Sequence, residues 1–488
     1  MDRRKQSRPM LLRHLEDAAT IFSSLKGTLV GVGMTAYSRI IPSFLCKSYH
    51  IVALRKTGDL HILREKARVF CLEEELGSTI EEEGFQSARL LAHPLTREYL
   101  RSLPDPKYLF LYQNYPELEH LAREENWVLL ANPPELRIRT GSRSFFNDLL
   151  QRLKLNTAEG VLIPIEELWS HEYRYWAENV GPKLAVQLPE VRMGGGRGTF
   201  FISSEPQYQA LQARLEGRSW RGSRLETVTV RRFVEGTPAS VALCITGKGI
   251  LFSPLQTQLL DLPFSRAIPE NGVFCGHSWD DAHLPAPVRD EILAQTGPIG
   301  EHMSRIGYRG ILGIDLVLEN GTRRIYPMEI NPRLTGAFPM LSQLHLGRGL
   351  IPMEIFHLLE FLGLPYEADL VSINREYAKS VKGSHMLLFL MNGRGLRKPH
   401  LKGGLYELDL PGEGAGFVKP AMDYRDIANE RQFIVVDGPP DEDLGSGDPL
   451  YRLCRLLFNH PLDGNESDEM SRALRAAEWV RSQILHRH

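Results

Sequence analysis

One stretch of the sequence decides the fold: Gly307 to Ala337, which reads GYRGILGIDLVLENGTRRIYPMEINPRLTGA. Two apolar segments of strand length, Gly310 to Leu318 and Arg324 to Ile330, stand on either side of a polar turn. The turn sequence Glu319-Asn320-Gly321-Thr322 is typical of a β-hairpin, because asparagine and glycine readily adopt the left-handed backbone that tight turns require. The stretch therefore predicts two antiparallel strands with few residues between them.

Three oxygen-bearing side chains make this hairpin a candidate metal site. Glu329 and Asn331 are two residues apart on one strand, so they project from the same face of the sheet. Mg²⁺ prefers oxygen ligands and is usually held by few carboxylates together with substrate phosphates. Asp315 on the other strand reaches that face through a three-residue loop or a bulge, but not through a two-residue loop. We predict the longer loop or a bulge, which Pro327 also favours; the alternative is a solvated hairpin with ordinary surface acids.

A glycine-rich segment lies upstream, where the predicted strand Lys183 to Leu188 leads into Met193 to Thr199. Glycines let backbone N–H groups close around phosphate oxygens, and the neighbouring Arg192 and Arg197 add positive charge. The segment lacks the Gly-Lys-Ser/Thr of a Walker A loop, and a flexible turn is the alternative interpretation. A further strand, Thr227 to Val234, ends in backbone groups that suit the edge of an adenine ring.

The order and spacing of these three segments resemble the ATP-grasp superfamily, in which a glycine-rich lid closes over ATP between two α+β subdomains. The most specific piece is the Glu-x-Asn-x-Arg core at Glu329 to Arg333, and the resemblance spans Pro134 to Glu376. It implies an α/β and α+β chain with the ATP-grasp fold in three parts: an N-terminal Rossmann-like pre-ATP-grasp domain (1–134), an ATP-grasp core (135–376) and a small C-terminal α+β domain (377–488). The last part further resembles peptide ligases of the pheganomycin type.

The resemblance also implies a role for each matching residue. Asp315, Glu329 and Asn331 would hold the metal ion. Arg333, together with Asn331, would act on the transferring phosphoryl group and on the acyl phosphate. The nucleotide would be bound by residues of the lid, the hinge and their flanks: Arg143, Gln187, Arg192, Gly194, Gly195, Gly196, Arg197, Gly198, Thr199, Arg231, Arg232, Phe233 and Val234.

The activity that the resemblance implies is ATP-dependent ligation of a carboxylate to an amine, a reaction of the EC 6.3 type. The carboxylate is activated as an acyl phosphate with release of ADP, and the amine then displaces phosphate to form an amide. The cofactors would be ATP and Mg²⁺, with Mn²⁺ as an alternative ion. The substrates would be amino acids, short peptides or other small acids of specialised metabolism. Metal and guanidinium would stabilise the transferring charge, and the lid would keep water from the acyl phosphate.

Two positions depart from the family pattern. Many members have a lysine on the strand before the glycine-rich loop, and Gln187 stands there instead, with Lys183 one or two strand-face repeats earlier. A second family lysine is replaced by Arg143, which keeps the charge and offers a fork of donors. We expect Arg192 or Arg197 to supply the charge that Gln187 lacks.

Composition excludes several classes of partner. The formal net charge is -2, so the chain has no global basic field for nucleic acid or an anionic membrane. No apolar run approaches the roughly 18 residues of a membrane span, and Met1 to Thr20 lacks the apolar centre of a signal peptide. The five cysteines are scattered without metal-type spacing, as in a reduced cytosolic protein. We therefore expect a cytoplasmic enzyme without nucleic-acid or membrane partners, and the resemblance is compatible with a homodimer.

Two other functions stay open. Gly31 to Ala36 fits the GxGxxA pattern of dinucleotide-dependent oxidoreductases. However, the next strand ends in Leu54-Arg55-Lys56, without the acid that binds a ribose hydroxyl, and this favours a plain turn after the strand. Gln187 favours the other alternative, a nucleotide-binding protein with the same fold but without ligase chemistry.

Lone histidines and glutamines complete the candidates. His345 and His385 have no metal-ligand spacing around them and are expected to be structural. Gln256 and Gln258 alternate on one strand face, which suits either the substrate side or a solvent-facing strand edge.

Overall fold

The computed structural model describes most of the chain. The described residues are 9–80, 87–189, 198–220, 222–265, 268, 270–280, 285–322, 324–391, 401–409, 414–439, 450–462 and 467–483.

The N-terminal region contains a parallel sheet flanked by short helices. Its elements are β1 (Met10–Leu12), α1 (Leu15–Ser23), β2 (Thr28–Gly33), β3 (His50–Ala53), α2 (Leu60–Leu63), β4 (Arg68–Cys71), α3 (Leu72–Leu76), α4 (Ser87–Ala92), α5 (Pro94–Arg101), β5 (Lys107–Phe110), α6 (Pro116–Glu125) and β6 (Trp127–Leu129). Five strands lie in the order β4-β3-β2-β5-β6, and every neighbouring pair is parallel. All six residues of β2 are buried, as expected for a central strand covered on both faces.

The turn after β2 depends on its glycines for packing. A Cβ on Gly31 would lie 2.0 Å from the Tyr49 hydroxyl, and one on Gly33 would lie 2.7 Å from the Thr35 carbonyl oxygen. The segment that follows has helical length but forms two short 3₁₀ helices, Tyr37–Arg39 and Ile41–Phe44. Pro42 explains the interruption, because proline lacks an N–H donor and disfavours helical geometry in the residue before it.

The central region carries two antiparallel sheets. Its elements are α7 (Pro134–Thr140), α8 (Arg143–Leu153), β7 (Gly160–Pro164), α9 (Glu167–Ser170), α10 (Tyr173–Asn179), β8 (Leu184–Gln187), β9 (Thr199–Ile202), α11 (Glu205–Arg214), β10 (Ser219–Trp220), β11 (Ser223–Arg224), β12 (Thr227–Arg232), β13 (Gly236–Thr246), β14 (Gly249–Phe252), β15 (Gln256–Leu260), β16 (Phe274–Trp279), α12 (Ala286–Arg305), β17 (Gly310–Glu319), β18 (Ile325–Asn331), α13 (Phe338–Gly347), α14 (Met353–Leu362), β19 (Tyr366–Ala368) and α15 (Leu370–Tyr377). The smaller sheet has the order β7-β12-β8-β9.

The larger sheet runs from the centre of the chain into its C-terminal region. The remaining elements are β20 (Gly383–Met391), β21 (Gly404–Leu408), β22 (Ala415–Lys419), β23 (Gln432–Val436), β24 (Leu450–Phe458) and α16 (Asp468–Ser482). The order is β18-β17-β13-β15-β16-β20-β24-β23-β21-β22, and β14 pairs with β13. Because β16 pairs with β20, the sheet is continuous across residue 376. The division of the chain at residues 134 and 376 stays a prediction.

Helices cover both faces of the larger sheet. Buried side chains of α8 and α12 pack with those of β13, β17 and β18 in one hydrophobic cluster. Side chains of α13 and α14 form a second cluster, which also contains residues of β2 and β3. The N-terminal region is further tied to the centre by parallel pairing of β1 with β19. Within the described residues, no helix is both long and apolar enough to cross a membrane.

Candidate active site

The predicted metal-binding hairpin contains the bulge that its chemistry requires. Asp315 on β17 pairs with Glu329 on β18, whereas the next residue, Leu316, pairs with Pro327, so Met328 is extra on its strand. This confirms the predicted irregularity. Residues that pair directly across two strands project from the same face of the sheet, so Asp315 and Glu329 share a face. The connection between the two strands is longer than a two-residue turn.

A chain of hydrogen bonds joins the polar groups on this face. Asp315 accepts one bond from Gln258 Nε2 at 2.9 Å and another from Asn331 Nδ2 at 2.8 Å. Asn331 Oδ1 in turn accepts a bond from Arg333 Nη2 at 2.9 Å. Burial, and then the charge of Glu329, raise the pKa of Asp315 to about 7. A divalent cation at this place would favour the ionised form of Asp315 and would relieve the repulsion between the two carboxylates.

Glu329 is the accessible member of the group. Its side chain is 44% exposed, and its Oε2 lies 3.1 Å from Arg143 Nη2. Arg143, at the start of α8, also donates to the Met328 carbonyl oxygen at 3.0 Å and is thereby held against the bulge. Within the described residues, no three His, Cys, Asp or Glu side chains form a metal cluster. A cation here would therefore depend on the Asn331 amide oxygen and on ligand phosphates besides the two carboxylates, a set that suits Mg²⁺.

The smaller sheet presents a second polar face. Gln187 on β8 pairs with Thr199 on one side and with Thr229 on the other, so the three side chains share a face. Gln187 Nε2 lies 3.5 Å from Thr199 Oγ1. Gln187 Oε1 and Thr229 Oγ1 are buried and have no hydrogen-bond partner among the described residues. Such orphaned groups fit a polar ligand lying over this face.

Arg231 projects from the same face of the smaller sheet and points towards the larger one. It is two residues from Thr229 along β12, and its Nη2 donates to Asn147 Oδ1 on α8 at 2.5 Å. Burial and the nearby positive charge of Arg143 lower the pKa of Arg231 to about 10. Two guanidinium groups thus approach each other between the sheets, and this arrangement is favourable when an anion such as phosphate lies between them. The sequence placed Arg231 in the adenine hinge, whereas the structure puts it inside a strand beside Arg143.

The predicted hinge is the short link between β12 and β13. The Phe233 N–H donates to the Lys183 carbonyl at 2.8 Å, and Lys183 Nζ lies 4.1 Å from the centre of the Phe233 ring. Val234 is buried in a small apolar cluster with Ala158 and Tyr326.

Charged side chains border the same link. Arg232 bonds Glu319 Oε1 at 3.1 Å, which joins the smaller sheet to β17. Lys183 pairs with Glu235 at 3.2 Å and therefore lies at the hinge.

Only the end of the predicted lid can be located. Arg192, Gly194, Gly195, Gly196 and Arg197 lie outside the described residues, as do the other residues from 190 to 197. The last two predicted lid residues continue into β9. Gly198 has a positive φ of 87°, and its carbonyl accepts the Leu188 N–H at 2.9 Å, while Thr199 begins the strand.

A buried chain of histidines approaches the predicted metal site, and the sequence did not predict this chain. Arg455 Nη1 lies 2.7 Å from His385 Nδ1, His385 Nε2 lies 3.1 Å from His277 Nδ1, and His277 Nε2 lies 3.4 Å from Ser240 Oγ. Arginine can only donate, so His385 Nδ1 accepts and its Nε2 carries the hydrogen that reaches His277. Ser240 pairs with Asp315 across β13 and β17.

Burial keeps both rings neutral. It lowers the pKa of His277 to about 3, helped by the positive charge of Arg455, and moves the pKa of His385 well below its ordinary value. The chain therefore delivers an N–H donor to Ser240 at any ordinary pH. His345 is also buried and stacks on Tyr377 at 4.1 Å, in keeping with a packing role.

The two glutamines of β15 lie inside the sheet. Gln258 bonds Asp315 directly, as described above. Gln256 is fully buried, and both its amide oxygen and its amide nitrogen have no partner among the described residues. The alternative of a solvent-facing strand edge is therefore wrong for both, because β15 is paired with β13 and β16 on its two sides.

Comparisons with known proteins support the fold described above. The family model for the ATP-grasp domain matches residues 190–337, which include the predicted hinge and the predicted metal-binding hairpin. A curated relative, the [butirosin acyl-carrier protein]–L-glutamate ligase of Niallia circulans, is 26% identical over 232 residues, or 46% of this chain and 49% of the relative. The alignment thus spans about half the length of that relative.

Solved structures match the fold over nearly the whole chain. The L-amino acid ligase of Bacillus licheniformis superposes with a TM-score of 0.54 at 11% identity, covering 95% of this chain and 99% of that one. The biotin carboxylase domain of Hydrogenobacter thermophilus 2-oxoglutarate carboxylase, solved with MgADP and bicarbonate, gives 0.57 at 13% identity, covering 90% and 87%. The chain has the ATP-grasp fold, with a parallel Rossmann-like sheet at its N-terminus, and its residues 190–337 match the model of the ATP-grasp domain.

Proposed function

We propose that the protein is an ATP-dependent ligase that joins a carboxylate to an amine through an acyl phosphate, releasing ADP and phosphate. The observation that carries the proposal is the bulge that brings Asp315 opposite Glu329, with Asn331 and Arg333 bonded to the same group. Two carboxylates, an amide oxygen and a guanidinium on one face are the groups that phosphoryl transfer requires.

Each residue has a distinct task in this reaction. Asp315, Glu329 and Asn331 would hold Mg²⁺ or Mn²⁺, which would neutralise the charge of the nucleotide phosphates. A carboxylate oxygen of the substrate attacks the γ-phosphorus and ADP leaves. Arg333 stabilises the charge on the transferring group. The amine nitrogen then attacks the acyl carbon, phosphate leaves with the bonding electrons, and the amine loses its proton to give an amide.

The nucleotide would lie between the two sheets. Arg143 and Arg231 would bind its phosphates, and the link from Arg232 to Val234 would border its adenine edge. Phe233 and the apolar cluster at Val234 offer the flat contacts that a base needs. Gln187 and Thr199 would add neutral hydrogen bonds.

The substrate class is inferred from the relatives named above, one a glutamate ligase and one an L-amino acid ligase. We propose amino acids, short peptides or similar small acids as substrates, and the resemblance of the C-terminal region to pheganomycin-type peptide ligases stays a prediction. Cytoplasmic location and a homodimeric assembly are likewise proposed.

The test is incubation of the purified protein with ATP, Mg²⁺ and pooled amino acids, with nucleotide products and new masses followed together. ADP and phosphate formed along with an amide mass are the expected result. AMP and pyrophosphate would mean adenylate chemistry and would overturn the proposed mechanism.

A second candidate is a nucleotide-binding protein without ligase activity, favoured by the neutral Gln187. It predicts ATP binding with no ADP formation across a broad panel of acids and amines. Tight MgATP binding together with that absence of turnover would replace the ligase proposal by this one.

A further inference from the structure

The N-terminal sheet has a reversal of strand order close to the predicted metal-binding hairpin. Its strand order reverses at β2, because β3 lies on one side of that strand and β5, the later one, lies on the other. In open parallel sheets, ligands bind outside the carboxyl ends of the strands at such a reversal. Thr35 follows β2 and Tyr112 follows β5, so these two residues flank the position at which this rule predicts a ligand, called the crevice below.

Tyr112 connects this crevice to the proposed reaction centre. Its hydroxyl accepts a hydrogen bond from Arg333 Nη1, and the Arg333 guanidinium lies 5.0 Å from the centre of its ring. Its backbone carbonyl also accepts the Leu334 N–H at 3.3 Å. The crevice therefore opens beside the arginine that is assigned to the acyl phosphate.

On the other side of the crevice, the C-terminal region contributes positive charge. Asp437 is fully buried. Its carboxylate forms ion pairs with Arg452 Nη2 and, at 3.4 Å, with Arg455 Nε, and it accepts a hydrogen bond from the Thr35 hydroxyl. A single carboxylate thus serves two guanidinium groups. Asp59, which accepts the Asp437 N–H at 2.7 Å, adds little negative charge below neutral pH, because burial raises its pKa to about 7.

Arg452 is the member of this cluster that a ligand can reach. Its side chain is 39% exposed, whereas that of Arg455 is 1% exposed. Burial of part of the group and the charge of Arg455 lower the pKa of Arg452 to about 9, and the proximity of Tyr112 partly offsets this. Arg452 and Arg455 carry more positive charge than the Asp437 carboxylate neutralises, and at a partly buried position an anionic ligand would stabilise that excess charge.

The crevice also has an apolar component. Met34 and Tyr112 are large side chains and are 37% and 38% exposed. Tyr112 contacts Arg333, and Met34 precedes Thr35 in the chain. The Thr35 hydroxyl and Arg452 both contact Asp437, so apolar and charged side chains are close together at this position. Small-molecule sites commonly combine an apolar lining with a few polar groups that fix orientation.

We propose that this crevice binds a ligase substrate by its free carboxylate, with Arg452 as the residue that recognises that group and Met34 beside the substrate's apolar part. The substrate class, an amino acid or short peptide with an unreacted carboxylate, rests on the proposed ligase function. Arg452 then selects between substrates that carry the carboxylate and those in which it is blocked. Its planar fork of donors suits bidentate recognition of a carboxylate.

The test is ligand-observed NMR on the full-length protein, without nucleotide. The probes are the twenty amino acids together with acetate and malonate, each amino acid being compared with its primary amide, which lacks the carboxylate. We expect saturation transfer to at least one acid, weak transfer to its amide, and about a tenfold or larger loss of affinity in Arg452→Ala. Arg452→Lys should retain part of the affinity, and Arg174→Ala should bind as the wild type does, because Arg174 is an exposed residue paired with Glu178.

Several outcomes would overturn the proposal. They are equal binding of acid and amide, equal binding by wild type and Arg452→Ala, and the absence of binding by every acid. Binding of inorganic phosphate that depends on Arg452, without binding of any acid, would also overturn it and would assign the crevice to phosphate. If Arg452→Ala unfolds, as a thermal melt would reveal, Arg452→Gln takes its place.

The binding test does not depend on turnover. Acid binding that requires Arg452 in a protein that never releases ADP would leave the crevice assignment standing and remove the ligase. If Arg452→Ala releases ADP with an unchanged KM for every acid, the ligase proposal stands and the crevice assignment is wrong.

Discussion

Asp315 and Glu329 lie directly opposite each other on neighbouring antiparallel strands, and they do so because Met328 is an extra residue on one of them. The strand register on one side of the bulge is shifted by one residue relative to the register on its other side. Side chains alternate between the faces of a strand, so this single residue decides on which face Glu329 and Asn331 project.

Deletion of Met328 should therefore abolish nucleotide turnover. Without the bulge, either Glu329 and Asn331 or the residues before them must move to the opposite face, where they cannot meet Asp315. The measurement is ADP release together with Mg²⁺-dependent ATP binding by calorimetry.

The matched control is a glycine inserted after Gly321, in the turn of the same hairpin. Turn tips tolerate insertion because little backbone hydrogen bonding is lost there, so ATP binding should remain. Full activity in the Met328 deletion, with both proteins folded by circular dichroism, would show that the bulge does not set the metal site.

Replacement of Glu329 by alanine should remove ATP-dependent product formation without unfolding the protein. The side chain is 44% exposed, so its loss leaves no buried cavity, yet we expect activity to fall by at least about 100-fold because a proposed metal ligand is missing. Product formation and the thermal midpoint are to be measured in parallel with Glu367→Ala, an exposed acid paired with Lys248 on the surface. If Glu329→Ala keeps full activity, the metal assignment is wrong.

The predicted metal-binding hairpin shows how much of a structure local sequence can predict. Glu329 and Asn331 alternate along one strand, and a short connection follows Asp315. These two facts allow only a few registers between the two strands. Only a register with a bulge or a longer loop places Asp315 and Glu329 on the same face. The fold class followed from the same stretch, since its order relative to the glycine-rich segment is characteristic. The hairpin prediction used residues that are close together in the chain, and the fold-class prediction used the order of short local motifs along it.

Residues far apart in the chain were not predictable in this way. His277 meets His385 only because β16 pairs with β20, and no local pattern records that pairing. Arg452 and Asp437 meet Thr35 across about 400 residues of sequence, at a junction between the N-terminal sheet and the C-terminal strands. The sequence showed only that single polar residues interrupt apolar strands. That pattern indicates buried polar groups but does not predict which residues they contact.

Glu354 makes the stability of the folded protein depend on pH. It is fully buried on α14, accepts a hydrogen bond from the Ser342 hydroxyl, and has a pKa raised by burial to about 7. Because the unfolded chain has the ordinary value near 4.5, the folded protein binds more protons between about pH 4.5 and 7. Stability from this group is therefore present at low pH and is lost as the pH rises through that window.

The variant Glu354→Gln imitates the protonated form and should remove this dependence. We expect it to match the wild type near pH 5 and to be more stable at pH 8, by up to about 3 kcal/mol. Urea unfolding midpoints from pH 5 to 8 measure the difference, with the exposed Glu367→Gln as the control. Parallel curves for wild type and Glu354→Gln at all pH values would contradict the assignment.

Arg231 should supply the positive charge that Gln187 does not. The two residues lie on the same face of the smaller sheet and are diagonal neighbours, because Gln187 pairs with Thr229, two residues before Arg231 on β12. Such neighbours are about 7–8 Å apart, so either position can place a cation near the same phosphate. Arg231→Gln should weaken MgATP binding by about tenfold or more, and Gln187→Lys in that background should restore most of it.

Gln187→Lys alone should change the affinity for MgATP little, because Arg231 is proposed to bind the phosphates already and would also repel an added cation. The dissociation constants of the four proteins form a double-mutant cycle, in which a strong favourable coupling between lysine at position 187 and glutamine at position 231 is the expected result. Arg174→Gln, at an exposed helix position, controls for loss of net charge. Equal, weak binding by Arg231→Gln and by the double variant would show that the two positions do not serve the same phosphate, and the charge would then have to come from residues 190–197.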